Sequence, residues 1–184
     1  MHFSSSIVLQ FAAAAAAAQF HKRQAADTFQ LFAYGENIGG LPLVSTGRYI
    51  YVGDLKTLNN TEAAPIVFTD SDSEWLASPN TTALNGETPT WYSLKFAIPS
   101  AESTSHDVVL ASSNSTEDVV STGFGFYGTV AFLFPSDGSF QSSWSAIPSE
   151  IDGVWTLEWN QTDASTGAIP LTIKSTPPSN IAQE

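Results

Sequence analysis

The chain has 184 residues, with six Lys and Arg against 18 Asp and Glu, no cysteine and a formal charge of −12. The lack of cysteine excludes disulfide scaffolds, thiol catalysis, iron–sulfur clusters and cysteine-ligated zinc. Nucleic acid is a poor partner, because phosphate binding depends on Lys and Arg. The 42% apolar content is too high for a disordered acidic chain.

The N-terminal segment differs from the rest of the chain. Residues 7–18 are almost entirely apolar and end in an alanine run that offers small-residue cleavage sites. This length fits a secretory signal peptide and is too short to span a membrane. We predict a signal peptide at 1–18, although no Lys or Arg precedes the apolar run. A helix of the mature fold is the alternative.

A dibasic pair follows. Lys22 and Arg23 are two of only six basic residues, and small residues come next, which is typical of a Kex2-type processing site. Residues 19–23 are then a short pro-segment, and the mature domain covers 24–184. That domain has four basic and 18 acidic residues, a formal charge of −14.

Four N-glycosylation sequons support export. Their acceptors are Asn59, Asn80, Asn114 and Asn160, and none has proline at the middle position. Together with the signal peptide they predict a secreted glycoprotein. Residues 175–184 carry no apolar tail, so no GPI anchor or other membrane anchor is expected.

Strand patterns fill the chain from Thr28 onward, and helix patterns are absent. Runs of β-branched and aromatic residues alternate with Gly, Pro, Asn, Asp and Ser. The predicted strands cover residues 28–34, 48–52, 64–69, 91–98, 107–111, 123–134, 140–147, 154–160 and 171–174. Nine or ten short strands predict an all-β fold, a single-domain antiparallel β-sandwich or jelly roll, with a closed barrel as the alternative.

Side-chain alternation predicts which residues face the core. In 91–98 they are Tyr92, Leu94, Phe96 and Ile98, and in 154–160 they are Trp155, Leu157 and Trp159. The nearly continuous apolar run 123–134 is typical of a strand buried on both faces in mid-sheet. Asp137-Gly138 and Asp152-Gly153 predict turns, and 140–147 is expected to return antiparallel to that run.

Several short motifs carry a resemblance to known proteins. They are Ala33-Tyr34-Gly35, Gly40-Leu41-Pro42-Leu43, Gly123-Phe124-Gly125-Phe126-Tyr127-Gly128, the segment Asp152–Asn160 and Ser175-Thr176-Pro177-Pro178. With these motifs the mature chain resembles a group of small secreted proteins of filamentous fungi. The resemblance implies a fungal, extracellular setting and no catalytic residues.

Histidine chemistry is not predicted. His106 precedes Asp107 but has no G-x-S-x-G nucleophile motif in the chain, so we expect an exposed loop histidine rather than a serine triad. A copper site built from an N-terminal His21 and His106 is disfavoured, because Phe20 is a poor residue before a signal-peptidase cut.

Glycoside hydrolysis needs two carboxyl groups at a set separation. Glu158 is the candidate, because it lies between two tryptophans along a predicted strand. Its possible partners are Glu36, Asp54, Glu74, Asp137 and Asp152, and no pattern selects one of them. A solvated Glu158 beside the Asn160 sequon is the competing expectation.

The acidic segment Asp70, Asp72 and Glu74 places carboxylates at alternate positions, as a calcium site can. It lacks the glycine and distal glutamate of an EF-hand loop. We therefore expect a solvated turn and predict no cofactor.

Exposed tryptophans are the candidate sugar-binding residues, because aromatic rings stack on sugar CH groups. Trp75, in a loop-like segment, and Trp91, on a polar strand face, are the candidates for an outward position, with core or interface packing as the competing expectation. Three functions stay open: a non-enzymatic glycoprotein associated with cell-wall polysaccharide, a polysaccharide hydrolase, or an effector that binds a host extracellular protein. We expect a monomer kept soluble by its negative charge.

Overall fold

A computed structural model describes residues 28–84, 86 and 88–179. The predicted signal peptide, the pair Lys22–Arg23 and His21 lie outside these residues. No helix in the described part of the chain is long and apolar enough to cross a membrane. The regular structure consists of short strands and three 3₁₀ turns, which confirms the all-β prediction.

The fifteen strands of the described residues are β1 (Thr28–Phe29), β2 (Phe32–Gly35), β3 (Ile38–Ser45), β4 (Ile50–Gly53), β5 (Ala64–Ser71), β6 (Glu74–Pro79), β7 (Leu94–Pro99), β8 (Val109–Ala111), β9 (Val119–Val120), β10 (Phe124–Tyr127), β11 (Val130–Leu133), β12 (Trp144–Pro148), β13 (Val154–Trp159), β14 (Ile169–Pro170) and β15 (Thr172–Lys174). The 3₁₀ turns are η1 (Leu55–Thr57), η2 (Thr81–Ala83) and η3 (Ala164–Thr166).

The strands form one antiparallel system folded into a sandwich. One path runs β10-β11-β15-β2-β3-β4-β13-β12-β14, and a branch leaves β3 through β5 toward β1, β6, β7, β8 and β9. The first half of β3 pairs with β2, and its last residues pair with both β4 and β5. Gly40, with φ +91°, lies opposite the register shift between Ala33 and Tyr34 and forms a bulge shortly before β3 changes partners after Pro42. Strands that bend in this way pass the chain from one layer to the other.

Aromatic rings fill the space between the layers. Trp75 of β6 is fully buried at their centre. Its ring centroid lies between 5.0 and 6.2 Å from five phenylalanine rings, those of Phe29, Phe68, Phe96, Phe124 and Phe126. Such ring pairs contribute beyond the apolar area that they bury. This core holds together a chain that contains no disulfide.

The core faces of two strands are largely as predicted. Phe96 and Ile98 of β7 are buried, as are Leu157 and Trp159 of β13. Trp155 is half-buried and packs against the core. The prediction for Tyr92 is wrong: this residue precedes β7, outside the alternation of the strand, and is 76% exposed.

The run 123–134 is two strands rather than one. Gly128, with φ +62°, and Thr129 form the two-residue turn of the β10–β11 hairpin. Glycine with positive φ at the first central position is what a type II′ turn requires. β10 consequently ends the strand path instead of lying in mid-sheet. The segment after the Asp137-Gly138 turn pairs with β11 only at the bridge Leu133–Gln141, and β12 pairs with β13 and β14 instead.

Candidate functional site

The two tryptophans predicted to bind sugars are buried, so that prediction is wrong. Trp75 lies on a strand of the β5–β6 hairpin rather than in a loop, and its ring points into the core. Trp91 is only 7% exposed, and its Nε1 donates a hydrogen bond of 2.9 Å to the Glu62 carbonyl oxygen. Neither ring offers a free face to a sugar.

The acidic segment between β5 and β6 forms a hairpin turn. Asp72 and Ser73 have φ of +53° and +70°, as the two central residues of a type I′ turn do. Asp70 Oδ1 accepts a hydrogen bond of 3.1 Å from the Ser73 amide. A Glu74 carboxylate oxygen lies 2.8 Å from Lys95 Nζ. No group of three His, Asp or Glu side chains in the described part of the chain could hold a metal ion.

Calcium should therefore leave the stability of the protein unchanged. A cation at this turn would have to compete with the Glu74–Lys95 ion pair, and only binding to the folded state raises the melting temperature. We expect the same Tm in millimolar Ca²⁺ and in excess EDTA, measured by tryptophan fluorescence. A rise of several degrees in calcium would restore the calcium-site hypothesis.

The four sequon asparagines differ in accessibility. Asn59, Asn114 and Asn160 are exposed, whereas Asn80 is half-buried. Asn80 Oδ1 accepts hydrogen bonds from the amide and the hydroxyl of Thr82, at 3.1 and 2.6 Å. Glycosylation at all four positions stays a prediction.

Glu158 lies opposite a carboxylate that sequence patterns did not select. Asp107 and Glu158 form an isolated antiparallel bridge, flanked on both sides by backbone hydrogen bonds of 2.8 and 3.1 Å. This pattern makes them a non-hydrogen-bonded pair, with Cα atoms about 4.5 Å apart and side chains on one face. Asp107 is thus the nearest structural partner for Glu158, and only the strand register reveals it.

Both of these carboxylates already accept hydrogen bonds. Gln161 Nε2 donates to Glu158 Oε2 at 3.1 Å, and Ser105 Oγ donates to Asp107 Oδ2 at 3.0 Å. Both residues are half-buried. The structure pairs none of the five predicted partner carboxylates with Glu158 in a strand bridge. Glu36, Asp137 and Asp152 lie in turns, Asp54 caps η1, and Glu74 pairs with Lys95.

His106 lies in a loop, as expected, but it is half-buried rather than exposed. Its Nδ1 lies 3.0 Å from the Trp159 carbonyl oxygen, which fixes the ring against the end of β13. A serine triad needs an aspartate that orients the histidine. Here Asp107 takes its hydrogen bond from Ser105, so the geometry of a triad is not formed.

An exposed cluster of four aromatic rings lies on the outer side of the β10–β11 hairpin. Tyr127 and Phe140 are 73% and 62% exposed, and Phe132 and Phe134 are half-buried. We call these four residues the aromatic surface. The Phe140 centroid lies 5.1 Å from that of Phe134, 6.4 Å from that of Phe132 and 6.5 Å from that of Tyr127. Contiguous exposed apolar groups of this kind mark binding surfaces.

Strand alternation builds this surface. Phe124 of β10 packs against Trp75 in the core, so Gly125 and Tyr127 face the other way. A Cβ atom on Gly125 would lie 3.0 Å from the Phe134 ring. Glycine at this position therefore lets the ring lie directly over the strand.

Phe140 is presented by an anchored loop. Leu133 and Gln141 exchange two backbone hydrogen bonds, at 2.9 and 3.0 Å, which close the loop at its base. Inside the loop, the Ser139 amide donates to Asp137 Oδ1 at 2.8 Å. Hydrogen bonds from Ser139 hold the pKa of the Asp137 carboxyl below its usual range. A fixed negative charge thus belongs to the loop that carries Phe140.

A polar cleft of about 410 Å³ lies where β12, β13 and β14 meet the loop after β13. Its polar lining comes from Ser142, Ser143, Ser145, Asn160, Gln161, Thr162 and Asp163, and its apolar lining from Trp144, Ala168, Pro170 and Leu171. Hydrogen bonds from Ser165, first from its hydroxyl and then from its amide, lower the pKa of the Asp163 carboxyl. A smaller cleft of about 200 Å³ is lined in part by the ion pair Arg48–Glu117.

Sequence reasoning missed the aromatic surface, because the run 123–134 has the composition of a buried strand. Gly128 was the available pattern: a glycine that splits an apolar run can mark a hairpin turn, which gives both halves an outer face.

A β-sandwich hosts many unrelated functions, so the fold does not identify one. No protein-family model, curated protein or solved structure matches this chain.

Proposed function

We propose that the protein is a secreted, N-glycosylated, non-enzymatic protein of fungal type that binds an uncharged cell-wall polysaccharide through the aromatic surface. The observation that carries the proposal is the exposure of Tyr127 and Phe140 beside two further rings. Export and glycosylation rest on the signal-peptide pattern and the four sequons.

The ring cluster suits a sugar chain for two reasons. Aromatic faces pack against the CH groups of sugar rings, and polar groups nearby can bond to the hydroxyls. Gln141 follows Phe140 directly and is exposed. The rings that cluster around Phe140 also offer several contacts to a polymer that extends beyond a single sugar.

Charge favours a neutral polymer. The described residues contain four basic side chains against many acidic ones, and three of the four have partners. Arg48 pairs with Glu117, Lys95 pairs with Glu74, and Lys174 Nζ lies 4.9 Å from the centroid of the Tyr34 ring. An anionic polysaccharide would meet repulsion, whereas chitin, β-glucan and cellulose would not.

Depletion from solution by insoluble polymers tests the proposal. Protein secreted by a fungal host is mixed with chitin, β-glucan or cellulose, and the free fraction is measured. We expect retention on one polymer, weakened about tenfold or more by Tyr127→Ala or Phe140→Ala, as is usual for an aromatic hot spot.

Tyr92→Ala is the matched control, because Tyr92 is equally exposed and lies outside the aromatic surface. It should bind as the unmodified protein does. All three variants should keep their stability within about 0.5 kcal/mol, since the replaced side chains are solvent-exposed. Absence of retention on every polymer would reject the proposal and favour the host-protein effector.

One observation supports hydrolysis as a second candidate. The register brings Asp107 and Glu158 together on one face. Retaining glycosidases need two carboxyl groups close together, about 5–5.5 Å apart, and neighbouring residues on adjacent strands can supply them. Glu158→Gln and Asp107→Asn would each abolish sugar release from a polymer that the protein cleaves. Neither residue lines the two clefts described above, and this favours the non-enzymatic proposal.

A further inference from the structure

We propose that the polar cleft binds the first sugars of an N-linked glycan attached to Asn160. This inference goes beyond polysaccharide binding. It concerns a different part of the surface, and it rests on the export and N-glycosylation that the proposed function includes.

Asn160 is placed as an acceptor at the edge of the cleft. It directly follows β13 and is exposed. Its backbone N–H donates a hydrogen bond of 2.8 Å to the Ser143 carbonyl oxygen. Its φ of +54° turns the chain sharply at this point. Within the described residues its side chain makes no hydrogen bond, unlike that of Asn80, so a glycan on Nδ2 breaks no side-chain hydrogen bond of the fold.

The other sequon residues are also in position. The side chain of Gln161 bridges two neighbours, because its Nε2 donates to Glu158 and its Oε1 accepts from the Asp163 amide at 2.8 Å. Thr162 is exposed and lines the cleft. The backbone amides of Trp159 and Asn160 each donate a hydrogen bond of 2.8 Å, to the carbonyl oxygens of His106 and Ser143, which orients the chain as it reaches the acceptor.

The modification itself is a glycosyl transfer. The Asn160 amide nitrogen forms a bond to the anomeric carbon of an oligosaccharide, while the bond from that carbon to a lipid-linked diphosphate breaks. The amide loses one proton and the diphosphate departs with the bonding electron pair. The oligosaccharide diphosphate donor belongs to the secretory pathway that the signal peptide predicts.

The cleft has the chemistry of a sugar site. Its volume of about 410 Å³ lies within the roughly 300–1,000 Å³ of small-ligand pockets. Hydroxyl groups of Ser142, Ser143 and Thr162 and the carboxylate of Asp163 offer partners for sugar hydroxyls and an N-acetyl amide. Pro170, which is exposed, offers apolar area for CH and methyl groups. A glycan that starts at the rim needs no long linker to reach these groups.

Release of the glycans from the native protein tests the proposal. The full chain is produced in a secreting fungal host, and mass spectrometry of glycopeptides follows cleavage by a peptide-N-glycosidase at each site. We expect native release at Asn160 to be about tenfold slower than at Asn59, because a seated glycan must leave the cleft before cleavage. After denaturation the two rates should agree. Asn59 is the internal control, since it is exposed and lines neither cleft.

A variant and a direct measurement complete the test. Ser142→Trp places a bulky side chain in the cleft from an exposed position, so it should raise native release at Asn160 to the Asn59 rate. In the unmodified glycoprotein, nuclear Overhauser effects should join the first sugar to the ring protons of Pro170, the exposed apolar residue of the cleft. Equal native rates at the two sites, no such effects, or an unoccupied Asn160 would each overturn the proposal. None of these outcomes bears on retention by polysaccharide, so the two proposals can fail separately.

Discussion

Trp75→Ala should lower the free energy of unfolding by about 3–5 kcal/mol, the usual cost of removing a large aromatic side chain from a core. Trp75 is fully buried and touches five phenylalanine rings from both layers, so neighbouring side chains cannot close the cavity easily. Domains of this size are stable by about 5–15 kcal/mol, so the variant loses a large share of its stability. Urea denaturation measures the loss as a lower midpoint with an unchanged slope.

Trp75→Phe separates the volume of this residue from its polarity. The indole Nε1 is buried with no hydrogen-bond partner in the described residues, and a buried unpaired donor costs about 1–3 kcal/mol. Phenylalanine removes that donor and keeps most ring contacts, so its cost should be well below that of alanine. A stable Trp75→Ala variant that no longer binds polysaccharide would contradict the core position and restore the surface role.

Gly47→Ala should destabilise the protein by about 2–5 kcal/mol, through backbone strain and overpacking together. Gly47 has φ +101°, a conformation that side chains other than glycine rarely adopt. A Cβ atom there would lie 3.1–3.2 Å from three atoms of Trp91. Trp91 cannot move away easily, because its Nε1 is bonded to the Glu62 carbonyl oxygen.

Gly138→Ala is the control for Gly47→Ala. Gly138 also has positive φ, +80°, but a Cβ atom there meets nothing within 4 Å. Its cost therefore reports backbone strain alone, and the difference between the two variants reports packing against Trp91. Thermal and urea unfolding of both variants measures this difference. Equal losses of unfolding free energy in the two variants would show that Trp91 is loosely packed against Gly47.

Local patterns predicted the parts of the fold that depend on local physics. Alternation placed Phe96 and Leu157 in the core, because a strand points every second side chain to one side. Asp152-Gly153 lies in the connection between β12 and β13, where Gly153 has φ +75°. The β-sandwich follows from many short strands separated by turns.

The candidate site residues depend on pairings between distant parts of the chain. Asp107 meets Glu158 only through the register of an isolated bridge, and no local pattern encodes that register. Trp75 appeared to lie in a loop because its polar neighbours belong to a type I′ turn that is only two residues long. Phe140 joins the aromatic surface through the Leu133–Gln141 bridge, which local sequence patterns do not predict either.

The central position of the last strand affects the order of events during biosynthesis. β15 lies between β11 and β2, and its Lys174 pairs with Phe32 near the start of the described chain. Until the ribosome has released β15, β2 lacks its neighbour on that side, so this layer closes only after nearly the whole domain has emerged. For the secreted glycoprotein that we propose, the acceptor asparagines would then meet the secretory machinery on an open chain. Asn80, half-buried once the sandwich has closed, would be open to modification in that interval.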